Sequence, residues 1–433
     1  IDPSDGGRVG RYGASLELRG TTPDDRSRWR AQTYALRYRM QLFSNFTYFL
    51  SDPTDADAVP DDQFNQFDDR WVYGATARRA WTLSTAIPAT FELGSQLRHD
   101  DVDTVALRLT QGRRPTDGGI DGDGVVRSDR VQETSLGLWA SSTQQWAPWL
   151  RSVIGARVDG YAFDVEGNLD ANSGHADDHI LSPKLALVFG PYARRTLFFA
   201  NYGEGFHSND ARGTTIRVDP LDGATPQDRV DPLVKARGGE VGVTTEPARA
   251  LKLGASLWTL DFDSELMFVG DAGGSEASGA SRRRGVELFA YYVPWEWLSF
   301  EADYAYAHAR LDSDDGNRIP NSVENVLGLG VTVPDWRGWS GGLRLRRIGP
   351  GPLTEDNRAR SKSTTVVNAQ VGYRWLERYT ATVQVLNLLD SDDNDITYYY
   401  ASRLPGEPAG GVEDYHFHRV EQRQVRLSVG MSF

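Results

Sequence analysis

Gln424-Val425-Arg426-Leu427-Ser428-Val429-Gly430-Met431-Ser432-Phe433 ends the chain with an apolar residue at every second position. Successive side chains of a β-strand point to opposite faces, so Val425, Leu427, Val429, Met431 and Phe433 share one side and Gln424, Arg426, Ser428 and Gly430 the other. The stretch predicts a strand with one greasy face and one polar face. The same period recurs upstream. Leu298, Phe300, Ala302, Tyr304 and Tyr306 alternate with Ser299, Glu301, Asp303, Ala305 and Ala307. Val367, Ala369, Val371, Tyr373 and Trp375 alternate with Asn368, Gln370, Gly372 and Arg374, and Tyr379, Ala381, Val383 and Val385 with Thr380, Thr382 and Gln384.

Charge on one face only places Glu301, Asp303 and Arg374 in a wet interior, because a charge facing lipid at the midplane costs a few kcal/mol. An alternating last strand that ends on Phe is the pattern of Gram-negative outer-membrane barrels, and Val425, Leu427, Val429, Met431 and Phe433 are expected to act as the assembly signal. The predicted fold is all-β, an antiparallel transmembrane β-barrel. Aromatic residues make up 11% of the chain, and no run of about 18 apolar residues exists, so membrane-spanning helices are excluded while weakly hydropathic barrel strands are not. The absence of Cys removes disulfides, thiolate metal sites and Cys nucleophiles. A formal charge of −13 without a basic run excludes a nucleic-acid partner.

Residues 1–433 carry no linker or composition shift and are expected to form one domain. Short turns near Ile87-Pro88, Trp146-Ala147-Pro148-Trp149, Gly190-Pro191, Glu246-Pro247, Pro294-Trp295-Glu296-Trp297, Pro334-Asp335-Trp336 and Trp375-Leu376-Glu377-Arg378 alternate with long Gly/Asp-rich loops at 52–69, 100–129, 207–235, 263–281, 350–362 and 390–420. The short set reads as the periplasmic rim, its Trp residues as the interfacial girdle. The count is roughly seventeen strands, from a descending one at 11–19 to 421–433. Single-chain bacterial barrels have even counts, so N-terminal strands are expected to be missing from this sequence, which opens without a signal peptide.

Specific motifs narrow the reading. Leu42-Phe43-Ser44-Asn45-Phe46-Thr47-Tyr48-Phe49-Leu50, Asp52-Pro53, Asp62-Gln63-Phe64, Gly155-Ala156-Arg157-Val158-Asp159, Leu181-Ser182-Pro183-Lys184, Asn201-Tyr202-Gly203-Glu204-Gly205-Phe206-His207-Ser208-Asn209-Asp210, Arg284-Gly285-Val286-Glu287, Ile319-Pro320-Asn321 and Val385-Leu386-Asn387-Leu388-Leu389-Asp390 follow in order along almost the whole chain. Together they resemble the barrel of TonB-dependent outer-membrane receptors. The resemblance implies a 22-stranded barrel of which these are the last seventeen strands, with the plug domain and TonB box absent from the sequence. It further implies uptake of a scarce nutrient, a ferric siderophore or similar iron or cobalamin chelate, driven by the TonB-ExbB-ExbD complex through the missing plug. Outer-membrane lipid and the barrel-assembly machinery are the other implied partners. The alternatives are a passive porin-like or oligosaccharide-uptake barrel and, further off, a barrel hydrolase. No cofactor and no catalysis are expected.

Loop aromatics and directed polar groups suit flat chelates and sugars alike. Tyr398, Tyr399 and Tyr400, together with Phe64 and Phe67, are the candidates for ligand contact, against loop packing as the plainer reading. Arg212 suits a substrate carboxylate or, more simply, a neighbouring loop Asp. His416 and His418, and His175 with Asp177, Asp178 and His179, have chelating spacings but no complete ligand set, so no metal site is expected. Asp52, Asp55, Asp57, Asp61, Asp62, Asp68 and Asp69 read as a solvated acidic loop rather than a Ca²⁺ site. His207-Ser208-Asn209-Asp210 is no evidence for a catalytic triad, which is assembled in space rather than along the chain.

Overall fold

A computed structural model describes residues 2–51, 62–193, 195–269, 274–312 and 317–432, with only the backbone of 265–269 and 274–278. Phe433, Asp52, Asp55, Asp57 and Asp61, and with them the Asp52-Pro53 motif, lie outside the described residues. The strands in chain order are β1 (Gly6–Thr21), β2 (Ser27–Asn45), β3 (Gln63–Leu83), β4 (Ala89–Gln111), the two-residue β5 (Arg114–Pro115), β6 (Val125–Ala147), β7 (Leu150–Gly167), β8 (Gly174–Tyr192), β9 (Thr196–Ser208), β10 (Leu233–Ala248) and β11 (Leu251–Phe262). They continue as β12 (Glu265–Val269), β13 (Gly274–Ser278), β14 (Ser281–Trp295), β15 (Leu298–Leu311), β16 (Asn325–Trp336), β17 (Trp339–Ile348), β18 (Thr364–Trp375), β19 (Tyr379–Leu386), β20 (Asn394–Ser402), β21 (Val412–Arg419) and β22 (Gln424–Met431). One short helix, α1 (Ala211–Thr215), sits between β9 and β10.

Among the described residues, seventeen long strands form one antiparallel meander, each paired to the next, and β5 adds an eighteenth member to the sheet. The pairs β12–β13 and β20–β21 stand apart as loop hairpins. Among the described residues β1 pairs only with β2, and β22 only with β19. Both outer edges are therefore open, and Val425, Leu427 and Val429 are exposed. At the long-loop rim, however, the two ends of the wall meet. Arg403, in the β20–β21 hairpin, donates its N–H to the Thr47 carbonyl at 3.0 Å and accepts from Phe49 N–H at 3.3 Å, so the last long loop is docked on the first.

The facing of side chains follows the expected alternation. Leu93 and Leu97, Leu136 and Leu138, Ile154 and Val158, and Leu181 and Leu185 are exposed on one side of β4, β6, β7 and β8, while Glu301 on the other side of β15 meets Arg344. Trp81 and Trp71 stand on that greasy side of β3, ten positions apart. At about 3.4 Å per residue and a tilt of about 40°, they are separated by roughly 26 Å in height, the thickness of an outer-membrane apolar band. Trp146, Trp149, Trp295, Trp297, Trp336, Trp339 and Trp375 mark the short-turn rim and are exposed there, with Trp295 stacked on Trp297 at 5.5 Å and Trp297 near Trp336 at 5.9 Å.

Two expectations need correction. Strands β3, β4 and β6 run for 21, 23 and 23 residues, so 63–69, 100–111 and 125–129 are strand rather than loop, and the first strand begins at Gly6 rather than at 11. About ten residues suffice to span. Above that height both faces meet water, the alternation fades, and sequence pattern underestimates the strand. For the same reason charge is not confined to one face: Arg37 on the outward side of β2 pairs with Asp69 and Asp103.

Several family motifs now have a physical explanation. The Pro183 peptide nitrogen carries no hydrogen, and the β8–β9 ladder starts beside it, at Lys184. Gly285 lies under the Trp258 ring, where an added Cβ would come within 2.3 Å. Ile319 is buried with Ala309 and Leu311, while Asn321 takes the left-handed φ of 60° that turns the chain back. Asn387 does the same with φ 48°.

Candidate functional site

Two groups of residues meet at the outer mouth. The first is aromatic. Strand alternation splits Tyr398-Tyr399-Tyr400, so Tyr399 faces Tyr415 at 5.1 Å and the Arg358 guanidinium at 5.7 Å, while Tyr398 and Tyr400 share the opposite face with His416. The Tyr400 ring stacks on His416 with centroids 3.8 Å apart. Phe46 meets Tyr400 edge-on at 6.4 Å and Phe64 at 5.6 Å. Phe64, itself buried, is thus joined to Tyr400 and His416 in one cluster through Phe46, a residue that sequence reading had not singled out as a contact. Phe67 is not part of it: it points the other way along β3, under Arg39 at 5.6 Å. His418 turns to Asp395 at 3.0 Å.

The second group is a charged inner wall. Asp68 and Arg70 pair on β3, Arg98 and Asp100 on β4, Arg127 and Asp129 on β6, and Arg157 and Asp159 on β7. The last three pairs each close at 2.6 Å, and their carboxylates are buried. Each pair spans two positions of one strand, which puts both side chains on one face. That two-residue spacing, Arg-x-Asp on β4, β6 and β7 and Asp-x-Arg on β3, was readable in the sequence, but only the register lines the pairs up on neighbouring strands.

Helix α1 lies against this wall. Ala211 packs with Val102, Val131, Val165 and the fully buried Phe163. The loop is clasped by Asn172, whose Oδ1 accepts from Arg217 N–H at 2.9 Å and Val218 N–H at 3.0 Å, and whose backbone carbonyl accepts from Thr215 Oγ1 at 2.8 Å. Asp210 caps the helix and holds Arg212 through paired contacts of 2.9 and 2.7 Å. Arg212 is therefore engaged by its own loop acid, the plainer of its two readings.

Desolvation alone would raise the Asp210 pKa, but the Arg212 guanidinium and its hydrogen bonds outweigh it and hold the carboxyl well below its ordinary 3.8. The sign is that of a depressed acid: its stabilising contribution is complete above pH 3.8 and is lost only as pH falls through the lowered value. Hydrogen exchange over 209–232 should accordingly be as slow at pH 5 as at pH 7, once corrected for intrinsic rates. Faster corrected exchange at pH 5 would show that Asp210 does not anchor the loop.

The remaining candidates disperse. His175 pairs with Asp164 at 3.3 Å and approaches Asp177 at 3.8 Å, and among the described residues no three His, Asp or Glu groups converge on a metal position. Asp62 is bonded by Thr47 Oγ1 and Leu50 N–H, while Asp68 and Asp69 are ion-paired. These three acids belong to the framework rather than to a free acidic loop. His207 packs on Phe262 and Asp210 is bound to Arg212, so the His207-Ser208-Asn209-Asp210 run makes no triad.

Residues 2–388 match the family model described as TonB dependent receptor-like, beta-barrel. This chain belongs to the TonB-dependent receptor family. Similar solved structures include the ferric-catecholate import receptor Fiu from E. coli K12, with a TM-score of 0.74 and 15% identity over 100% of this chain and 65% of that one. The ferric yersiniabactin uptake receptor FyuA from Yersinia pestis gives 0.73 and 16% over 99% and 62%, and the copper transporter OprC 0.71 and 16% over 100% and 67%. The receptor chain thus spans under two thirds of the length of Fiu and FyuA. At these identities the likeness is one of fold. Family membership places the chain in the outer membrane of Gram-negative bacteria.

Proposed function

We propose that this chain forms the binding wall and outer loops of an importer for a ferric siderophore or similar metal chelate, energised by TonB-ExbB-ExbD through a plug and TonB box supplied by sequence beyond these 433 residues. In this reading the seventeen strands are the last part of a 22-stranded barrel. The observation that carries it is the Phe46–Phe64–Tyr400–His416 cluster at the mouth, in which Phe64 is buried while Phe46, Tyr400 and His416 are partly exposed. Flat rings offer dispersion and π contact to aromatic chelating groups. Arg358, paired with Glu413 at 2.9 Å, covers Tyr399 on the other face of the same hairpin. His418 and Tyr398 are secondary contacts in this proposal, Phe67 faces away from the ligand under Arg39, and Arg212 holds its loop. The β22 residues Val425, Leu427, Val429 and Met431, with Phe433, serve as the assembly signal.

Binding is tested by tryptophan fluorescence quenching with iron complexes of catecholate, phenolate and citrate type. At least one should bind, and Tyr400→Ala with His416→Ala should weaken it by roughly tenfold to a hundredfold, the loss of two aromatic contacts. No binding by any iron chelate, with an oligosaccharide bound instead, would overturn the proposal.

A further inference from the structure

Above Lys184 two neighbouring strands separate. Among the described residues β8 and β9 pair only from Lys184 opposite Gly203 down to Tyr192 opposite Thr196, although β8 continues up to Gly174 and β9 to Ser208. Over that height each keeps its other neighbour, β7 for β8 and β10 for β9. Pro183 stands where the ladder stops and lacks the N–H of the next rung. The Gly190 N–H donates to the Trp149 carbonyl beside β7, which turns the even-numbered amides of β8 to β7 and the odd ones, His179 and Leu181 among them, to the gap. There the His179 N–H donates to Asp178 Oδ1 at 2.7 Å instead of to a strand. Phe206 near the end of β9 meets the Tyr161 ring of β7, two strands away, edge-on at 5.8 Å. This end of β9 packs through side chains and leaves the β8 edge open.

A cavity of about 420 Å³ runs along that edge, with Asp178, His179 and Leu181 of β8 on one side and Asp231, Lys235 and Asp263 on the other. Leu181 lies eleven positions above Tyr192 at the short-turn rim, about 29 Å higher at about 3.4 Å per residue and a tilt of about 40°. The open edge therefore stands beyond the apolar band, where water reaches it and a partner outside the cell can too. An unpaired strand edge is a template for another strand. Charge selects which one. Lys235 is held by Glu204 at 3.1 Å and Asp263 by Arg237 at 2.7 Å, while Asp178 and Asp231 have no cationic partner among the described residues. The adjoining loop, 264–280, contains Glu265, Asp271 and Glu276 and no Lys or Arg, so its charges add to the acidity of the slot.

We propose that the β8 edge is a docking site for an extended basic peptide segment of a partner protein, which adds as a strand beside residues 174–182 and sets Lys or Arg side chains against Asp178 and Asp231. Backbone pairing supplies the affinity of such strand addition and the side chains its selectivity. The site is separate from the mouth cluster and does not rest on the imported ligand. The native protein in detergent would be titrated with a capped heptapeptide of alternating lysine and valine, with its glutamate–valine counterpart, and with the lysine peptide N-methylated at every residue, which keeps the charge and removes the backbone donors. The lysine peptide should bind roughly tenfold or more tighter than either control and should slow hydrogen exchange over 174–182. D178N/D231N should weaken it by a similar factor, and L181P, which removes an edge donor without touching the ladder to β7, should abolish it. Equal binding of the lysine peptide and its N-methylated form by the unmodified protein overturns the proposal even if L181P fails to fold, because charge alone would then explain the affinity. Absence of binding overturns it too. So does protection of 174–182 that rises with protein concentration in the absence of peptide, which would assign the edge to a second copy of this chain.

Discussion

Asn387→Ala is expected to be among the most damaging single changes in the wall. Asn387 is buried, and its side-chain N–H₂ donates to the carbonyls of Ser391 and Glu421, each at 3.0 Å, while its Oδ1 accepts from Ser391 N–H at 2.9 Å. It thereby ties the end of β19 to the residues that lead into β22. Each bond is worth about 1 kcal/mol net, and alanine leaves three backbone groups without their partner. Alanine also takes the left-handed φ of 48° less readily than asparagine does. The combined loss should reach roughly 3–5 kcal/mol, read as a lower temperature for conversion of the heat-modifiable folded band to the unfolded one. Asn387→Asp separates the causes, since it keeps the acceptor and the backbone preference but points a carboxylate at two carbonyls. If Asn387→Asp were as stable as the parent, the hydrogen-bond clamp would not be what holds this turn.

Phe163→Ala should release the loop that carries α1 while leaving the strand ladder in place. Phe163 has no exposed surface, and the side chains around it come from β4, β6, β7 and the helix. Truncating a buried Phe removes its transfer free energy and leaves a cavity, typically about 3–5 kcal/mol. Backbone pairing of β7 with β6 and β8 does not depend on that side chain. The loss falls on docking of 209–232, and 3 kcal/mol is about a hundredfold in the docking equilibrium. Trypsin should then cut at Arg217 or Arg229 under conditions in which the parent chain is intact. Intact loops in Phe163→Ala, with a lowered unfolding temperature for the whole wall, would mean that the cluster supports the wall and not the loop.

Much of this architecture was legible residue by residue. The two-residue period in 298–307, 367–375 and 424–431 and the Trp-bearing turns specify strands, their facing and the polarity of the rims, because each depends only on neighbours along the chain and on the contrast between lipid and water. Motifs such as Val385-Leu386-Asn387-Leu388-Leu389-Asp390 were recognisable for a local reason too: Asn387 and Asp390 carry turn conformations of φ 48° and 53° that few residues accept.

Contacts between distant segments were beyond that reading. Nothing local says that Phe46 joins Phe64 to Tyr400, that Arg403 docks the last loop on Thr47 and Phe49, or that Tyr398 and Tyr400 look away from Tyr399. The same holds for the inner wall. Arg98-His99-Asp100 and Arg127-Ser128-Asp129 are ordinary strand pairs in isolation, and they become a lining beneath α1 only because β4 and β6 pair with Val105 opposite Asp129. Alternation decides which side of a strand a residue takes. Register and loop docking, selected by the summed packing of segments hundreds of residues apart, decide which residues meet there.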